Sequence, residues 1–406
     1  GDGHDDLAVG LPGNDYFSGT GVIGMGGVQL HFGLPDAVGR IQSIAAYSFS
    51  QVAGGLLPGR GLAGERFGAA LAFGDFNGDQ REDLAVGIPN DAVGCGSEDC
   101  YGGSVMVVDL DGGGHVNGYL MSLGLDALPA SAAAGDHFGG AVATGDFNGD
   151  RFDDLAIGIP GRDSSAGGVL VVFGSEFSLI FGNHQLLDQG VFGEPVEPGD
   201  LFGSALAAGD FNGDGFADLA MAAPEEDGNT SGSIDSGQVI VAYGSAGGLS
   251  TVGAPWLSED GIFGAGSESG DRFGSALTAG DFDGDGLADL VIGVFHEGVF
   301  GADAYGAAVA LRGRPEGLAG SPSRRLFPGD PPIGMIPGDG NLGAGYGSAL
   351  ATGDFDGNGF ADLAIGAPAR TPPSLPQAGA VAVVYGQLFV DGFESRDPFE
   401  WAQVAP

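Results

Sequence analysis

Three observations predict an all-β fold, a β-propeller of four-stranded antiparallel blades. An acidic sixteen-residue segment recurs along the chain, short apolar stretches of strand length flank each copy, and 83 of 406 residues are glycine. Repetition of a four-stranded unit at roughly this period is the signature of radial β architectures. Glycine on that scale, without a collagen-like period of three, points to many tight turns and close backbone approaches.

The full copies read GDFNGDQREDLAVGIP from Gly74, GDFNGDRFDDLAIGIP from Gly145, GDFNGDGFADLAMAAP from Gly209, GDFDGDGLADLVIGVF from Gly280 and GDFDGNGFADLAIGAP from Gly353. They start 64 to 73 residues apart. Each is preceded by an aromatic-glycine pair: Phe67-Gly68, Phe138-Gly139, Phe202-Gly203, Phe273-Gly274 and Tyr346-Gly347. The last residue of the closing Gly-x-Pro-like triplet follows that aromatic by 22 positions in all five. A partial copy, GDGHDDLAVGLP, begins at residue 1.

Each unit reads as strands. The first, as in FGAALAFGD and FGSALAAGD, is rich in Ala and Gly, which suits the crowded positions near a propeller axis. The second, as in DLAVGIP and DLAIGIP, is continuously apolar, as expected of a strand buried on both faces. A third follows in GGSVMVVDL, GGVLVVFGS, GQVIVAYGS, GAAVALRG and GAVAVVYG. A fourth is less regular, as in RIQSIAAYSFSQ. A string of independent sandwiches is disfavoured, since each unit is small and poor in large residues. The propeller is expected over residues 1–386, with repeats starting near 1, 67, 138, 202, 273 and 346, and a tail over 387–406. The N-terminal unit has strands two to four and the last has strands one to three, so they cannot merge into one closing blade. Six blade positions, the first incomplete, are therefore expected in a closed ring of six or seven. The start inside a loop points to upstream sequence, and a ring of seven would need one more blade from there.

Composition excludes some partners. The chain carries 13 basic and 54 acidic residues, for a net charge of −41, and every basic residue is arginine. Nucleic acid and anionic membranes are poor partners for such a surface; cations are attracted. No apolar run reaches the length of a membrane span. At 43% hydrophobic residues the chain can still bury a core. The two cysteines, Cys95 and Cys100 in CGSEDC, are spaced for a loop-closing disulfide, with two free thiols as the alternative.

The acidic loop carries the chemistry. Counted from its first Asp, positions 1, 3, 5 and 9 bear side-chain oxygens in all five full copies. They are Asp75, Asn77, Asp79 and Asp83; Asp146, Asn148, Asp150 and Asp154; Asp210, Asn212, Asp214 and Asp218; Asp281, Asp283, Asp285 and Asp289; Asp354, Asp356, Asn358 and Asp362. Hard oxygens at alternating positions of a tight loop suit Ca²⁺, which takes about six to eight of them. Position 7 (Arg81, Phe152, Phe216, Leu287, Phe360) is expected to give its backbone carbonyl and so to be free to vary. An EF-hand is excluded, because position 12 is Val86, Ile157, Met221, Ile292 or Ile365 and not Glu. The alternative is a set of metal-free Asx-turns capping hairpins. Turn chemistry does not require several acids so close together. At ~4 Å a like-charge pair costs about 1 kcal/mol in water and about 4 kcal/mol at an effective dielectric of ~20. About five calcium ions are therefore expected. The loops at Asp210 and Asp281 are expected to bind best. Gln80 and Arg151 replace glycine at position 6 elsewhere, and Asn358 removes one charge from the last loop. The partial copy keeps only Asp2, His4 and Asp6 and is expected to be weak or empty.

The aromatic-glycine pair, the D-x-[DN]-x-[DN]-x-x-x-D loop and the Gly-x-Pro triplet together resemble the FG-GAP repeat, the unit of the integrin α-subunit propeller and of many exported bacterial proteins. The match departs at Ala222 and at Gly293-Val294-Phe295, neither a ligand position. The resemblance implies about seven blades, calcium in the loops of one face and partner binding on the other. The tail LFVDGFESRDPFEW from Leu388 is similar to a short C-terminal element of some exported proteobacterial proteins.

No catalytic motif is found. The six histidines are scattered, and no G-x-S-x-G, H-E-x-x-H or phosphate-binding loop occurs. Paired Asp residues can serve a glycosidase, but five regular copies favour metal ligation. The reading is a non-catalytic, calcium-binding propeller, secreted or at the cell surface, that mediates adhesion to a protein or glycan ligand. The alternative is a glycan-processing enzyme or accessory module with its site on the non-calcium face.

Overall fold

The computed structural model describes residues 7–13, 26–31, 46–49, 64–92, 101–110, 116–123, 128, 133–228, 233–264, 267–297, 306–321, 323–327, 345–368, 379–385 and 388. Asp2, His4, Asp6, Cys95 and Cys100 lie outside these residues, so neither the partial loop nor the disulfide is described. The chain divides into two compact units, Gly1–Ser204 and Ala205–Pro406.

The first unit holds three sheets. β1 (Leu7–Gly10), β2 (Val28–His31) and β3 (Ala46–Phe49) form a three-stranded sheet. β4 (Ala70–Gly74), β5 (Asp83–Ile88), β6 (Ser104–Leu110) and β7 (Val116–Met121) form a four-stranded one. β8 (Val142–Gly145), β9 (Asp154–Gly158), β10 (Val169–Phe173) and β11 (Ile180–Leu187) form another. In the second unit β12 (Leu206–Gly209), β13 (Asp218–Ala223), β14 (Gln238–Ala242) and β15 (Trp256–Leu257) make one four-stranded sheet. β16 (Phe273–Gly280), β17 (Asp289–Val294), β18 (Ala307–Leu311) and β19 (Ser323–Leu326) make the next. β20 (Leu350–Gly353), β21 (Asp362–Ala367) and β22 (Ala380–Val384) complete the set. Strands pair antiparallel in chain order, the blade pattern of a β-propeller.

The expected six blade positions in a ring of six or seven are corrected: five blades carry the full repeat. The N-terminal sheet begins at the repeat's second strand, so it lacks the aromatic-glycine entry and half of the loop.

Burial follows the hydropathy. Every residue of β5, β9, β13 and β17 is buried, and so is every residue of β10, β14 and β18. Within their units β5 and β6, and likewise β17 and β18, are packed between neighbouring sheets. In the first unit Ala85, Val105 and Val107 of one sheet pack with Leu155, Ile157 and Leu170 of the next. In the second, Ala220, Val239 and Val241 pack with Leu290, Ile292 and Val309.

The aromatic-glycine pair locks one blade onto the blade before it. Phe67, Phe138, Phe202, Phe273 and Tyr346 are all fully buried. The Phe138 N–H donates to Gly102 O at 2.9 Å and the Phe273 N–H to Ser236 O at 2.9 Å, each reaching the residues that lead into the preceding blade's third strand. The paired glycine has a left-handed φ, 87° at Gly139 and 83° at Gly203. Its carbonyl lies against the glycine of the preceding blade's triplet. A Cβ on Gly87 would stand 2.2 Å from Gly139 O, and one on Gly158 2.0 Å from Gly203 O. The two ends of the motif are thus one contact, made between successive repeats. The third full copy has Ala222 in place of the triplet glycine, and a Cβ on Gly274 would stand 2.9 Å from its methyl.

Gly158→Ala is expected to cost about 2–3 kcal/mol, because a backbone carbonyl must move. Ala222→Gly should change stability by less than about 1 kcal/mol. Denaturant unfolding of the two variants checks the contrast; equal losses would contradict it.

Candidate metal centre

Each acidic loop joins the first strand of a blade to the second, and its position 9 opens the second strand. That acid is buried in every copy: Asp83, Asp154, Asp218, Asp289 and Asp362. Its two oxygens have fixed tasks. Oδ2 accepts from the position 2 N–H, with Phe147 to Asp154, Phe211 to Asp218 and Phe282 to Asp289 at 2.9 Å, and Phe355 to Asp362 at 2.7 Å. Oδ1 accepts from the N–H that follows the third strand, with Gly174 to Asp154 at 2.9 Å, Gly244 to Asp218 at 2.8 Å and Gly313 to Asp289 at 2.8 Å. Position 9 therefore staples three strands together. Position 2 is Phe in all five copies, and this constancy was the signal for a role the sequence reading did not assign. Its ring is fully buried in four copies, and in the last Phe355 is exposed.

Positions 1, 3 and 5 wrap the loop around their own oxygens. In the Asp210 loop, Asp210 Oδ1 accepts from Gly213 at 2.6 Å and Asp214 at 3.2 Å, and Oδ2 from Gly215 at 2.9 Å. Asn212 accepts from the Asp214 N–H at 2.8 Å, and Asp214 from the Phe216 N–H at 3.0 Å. The same bonds recur in the loops at Asp146 and Asp281. This wiring contains Asx-turns, and it gathers the acids on one side of the loop. Carboxylate oxygens of Asp281, Asp283 and Asp285 lie within 4.8 Å of one another, as do those of Asp354, Asp356 and Asp362. Such all-oxygen donor sets fit a hard cation of calcium type.

Position 6 keeps its conformation without glycine. Gln80 has φ 67° and Arg151 φ 76°, against 91° at Gly215. Their N–H groups still donate to position 1 at 2.8 Å. The left-handed backbone costs roughly 1–2 kcal/mol per residue, and the loop hydrogen bonds hold it there.

Two expectations need revision. Position 7 was expected to be indifferent to side chain, yet its side chain covers position 4 of the preceding loop. A Cβ on Gly78 would stand 2.6 Å from the Phe152 ring, one on Gly213 2.5 Å from Leu287, and one on Gly284 2.2 Å from Phe360. Successive loops are also bonded, with the position 8 N–H donating to the position 1 carbonyl of the loop before: Asp153 to Asp75 at 3.0 Å and Ala288 to Asp210 at 2.9 Å. The second revision concerns strength. The Asp281 loop was expected among the best, but Arg312 Nε stands 2.6 Å from Asp283 Oδ2 and its Nη2 2.8 Å from Asp285 Oδ2. A tethered cation thus engages positions 3 and 5. The equivalent position of the first blade is Asp109, whose charge adds to that of Asp83, Asp79 and Asp75. The residue just past the third strand's pairing with the second thus places a charge beside the loop in these two blades.

Burial first, then the neighbouring acids, pushes the position 9 carboxyls up: Asp83, Asp218 and Asp289 to about 7, and Asp154 to about 8. Burial likewise raises Asp283, against the opposing pull of Arg312.

With this geometry in hand, the chain can be compared with known proteins. The FG-GAP repeat family model matches residues 67–99, 138–172, 202–241, 273–309 and 346–384. Integrin alpha-PS2 of Drosophila melanogaster is 34% identical over 264 residues, covering 63% of this chain and 17% of that protein. Integrin alpha-5 of Xenopus laevis is 30% identical over 252 residues, covering 61% of this chain and 21% of that protein. The chain thus spans about a fifth of the length of these relatives. Among solved structures, rhamnogalacturonan lyase YesW aligns with a TM-score of 0.39 at 12% identity, over 84% of this chain and 54% of that one. A glycoside hydrolase aligns at 0.35 and 10%, over 74% and 82%.

Two outcomes are expected. Arg312→Gln should tighten calcium binding at the fourth full loop, and Asp109→Asn should weaken it at the first, each by roughly 3- to 10-fold; calorimetric titration of each variant against the wild type checks both signs. The second concerns pH in the chelated, metal-free protein. Position 9 carboxyls above their unfolded value mean that the folded chain holds protons which the unfolded chain has released. Stability from these groups is full below about pH 4 and is lost as pH rises toward about 8. The melting temperature in chelator should therefore fall across that interval. A melting temperature that rises with pH there would contradict the assignment.

Proposed function

Five FG-GAP repeats place the chain in the FG-GAP β-propeller family, and from that premise we propose a non-catalytic propeller, braced by calcium, that binds a protein or glycan partner outside the cell. The observation that carries this reading is the same oxygen-bearing loop at the same hairpin of five successive blades. Catalysis needs one site, whereas bracing needs one per blade.

Positions 1, 3, 5 and 9 would hold the ion, and position 7 would offer its backbone carbonyl. The ion supplies charge neutralisation. The chain's own residues supply the rest: position 9 anchors the cage to the blade, position 6 turns the loop, and position 7 shields the loop before it. Filled at ~100 times its dissociation constant, one site adds about 2.7 kcal/mol. Several such sites are comparable with a whole domain's stability of about 5–15 kcal/mol. That dependence suits calcium-rich surroundings, and the similarity to integrin α chains supports a secreted or cell-surface setting. No described helix is long and apolar enough to cross a membrane. The propeller is proposed to run through residues 1–386, followed by a tail over 387–406. Leu388, at its start, is buried in the core shared by the fourth and fifth full blades, with its N–H donating to Phe282 O of the fourth at 3.2 Å.

Chelation should lower the melting temperature by well over 10 °C and release about five calcium ions, counted by mass spectrometry. An unchanged melt with no bound metal would reduce the loops to Asx-turn hairpins. Saturable glycan or protein binding without turnover supports the binding role; turnover of a glycan panel overturns it.

A further inference from the structure

At the far end of the fourth full blade from its acidic loop, three carboxylates meet inside the protein. Asp271 lies just before β16, Glu297 just after β17, and Glu259 opens a short helix, Glu259–Phe263, that follows the preceding blade's fourth strand. The strands separate this cluster from Asp281 and Asp289 by roughly 25 Å. Glu259 is 1% exposed, Asp271 2% and Glu297 4%. One oxygen from each lies within 4.8 Å of the others.

Their neighbours do not balance them. Arg325 is the one cation paired with them among the described residues, with Nη2 3.2 Å from Glu259 Oε1 and Nη1 3.4 Å from Glu297 Oε1. Its guanidinium also lies 4.2 Å from the centre of the Phe263 ring, which holds it in place. Glu268 adds a further negative charge nearby, although its N–H donates to Asp271 Oδ2. A second feature is independent of this charge count. Glu259 Oε2 and Glu297 Oε2 are buried and receive no N–H or hydroxyl donor from elsewhere; the hydrogen bond open to these two groups is one between the carboxyls themselves, and Glu259 Oε1 has the guanidinium contact. Buried carboxylate oxygens are otherwise paired or bound to metal.

Buried acids recur at two of these positions. That of Asp271 is Glu65, Asp136 and Asp200 in the first three full copies, and that of Glu297 is Asp91 in the first and Glu226 in the third. What the fourth copy adds is the third acid, Glu259, at the start of a helix that begins with Gln189 one blade earlier, so the local question is why a third carboxyl is buried beside this pair.

We propose that Glu259, Asp271 and Glu297 form a buried site for a hard divalent cation, separate from the five loops. Three carboxylates offer up to six oxygens in an enclosed space, which suits calcium. Magnesium retains several waters and demands stricter geometry. A dication leaves the cluster neutral once Arg325 is counted, and gives the buried oxygens a partner. It ties the helix after one blade to the first two strands of the next. The site does not depend on the loops binding metal.

Two measurements test it. Crystals of the wild-type chain soaked in manganese should show anomalous density among Glu259, Asp271 and Glu297; none there, with density at the loops, overturns the site and leaves the loop reading intact. Density at neither would overturn both. The variant Glu259→Gln/Glu297→Gln should bind one calcium ion fewer by native mass spectrometry and lose part of the wild-type melting shift on calcium addition. In chelator it should melt above the wild type, because repulsion is relieved. An undiminished ion count, or a gain in melting temperature of equal size with and without calcium, overturns the proposal. If the double variant does not fold, Asp271→Asn carries the same two readouts.

Discussion

The structure depends on one buried carboxylate per blade. Asp154 shows the arrangement: it opens β9, accepts from Phe147 at the end of the loop's first turn, and accepts again from Gly174 beyond β10. An aspartate without a long stem suits the position, because both bonds are short and local to the hairpin. Burying the charge is unfavourable, and burial accordingly lifts Asp154 to about 8. Two backbone donors offset part of that penalty, and a cation in the loop would offset more. The geometry of positions 1, 3 and 5 follows from where position 9 pins the loop.

The loops are not isolated within a unit. A carbonyl-to-amide bond and a position 7 side chain connect each to the next, as at Asp75, Gly78, Phe152 and Asp153. Asp153 also accepts from the Asp75 N–H at 2.9 Å. Groups sharing partners in this way are energetically coupled. The charge of a loop is then adjusted from the third strand, by Asp109 in one blade and Arg312 in another. Repeats that look equivalent along the chain are thereby given different electrostatics.

At the other end of each blade, packing is set by backbone and not by side chains. The glycine after the buried aromatic presses its carbonyl onto the triplet glycine of the preceding repeat, as Gly139 does on Gly87. Sheets can approach closely only where neither residue has a Cβ. The corner next to this contact holds the residue two places before the aromatic: Glu65, Asp136, Asp200 and Asp271 are all buried there, and Asp271 is joined by Glu259 and Glu297.

The strands, the loops and the identity of the repeat were legible in the sequence because they are local. An apolar run, an alternation of acids and a Gly-x-Pro triplet all lie within about two dozen residues, and their recurrence separates pattern from accident. The blade pattern was read correctly; the closed ring of six or seven was not, because the N-terminal copy, already incomplete in the sequence, was still counted as a blade position, and ring closure is not a local property of the chain. Tertiary structure decided what joins distant residues. Arg312 reaches Asp285 across 27 positions, and Asp153 reaches Asp75 across 78. Glu259 meets Asp271 and Glu297 because a helix from the preceding blade folds over the next one's corner. Spacing along the chain carries no trace of such contacts. They are set by how one sheet stacks on another, and that stacking is a property of the packed core.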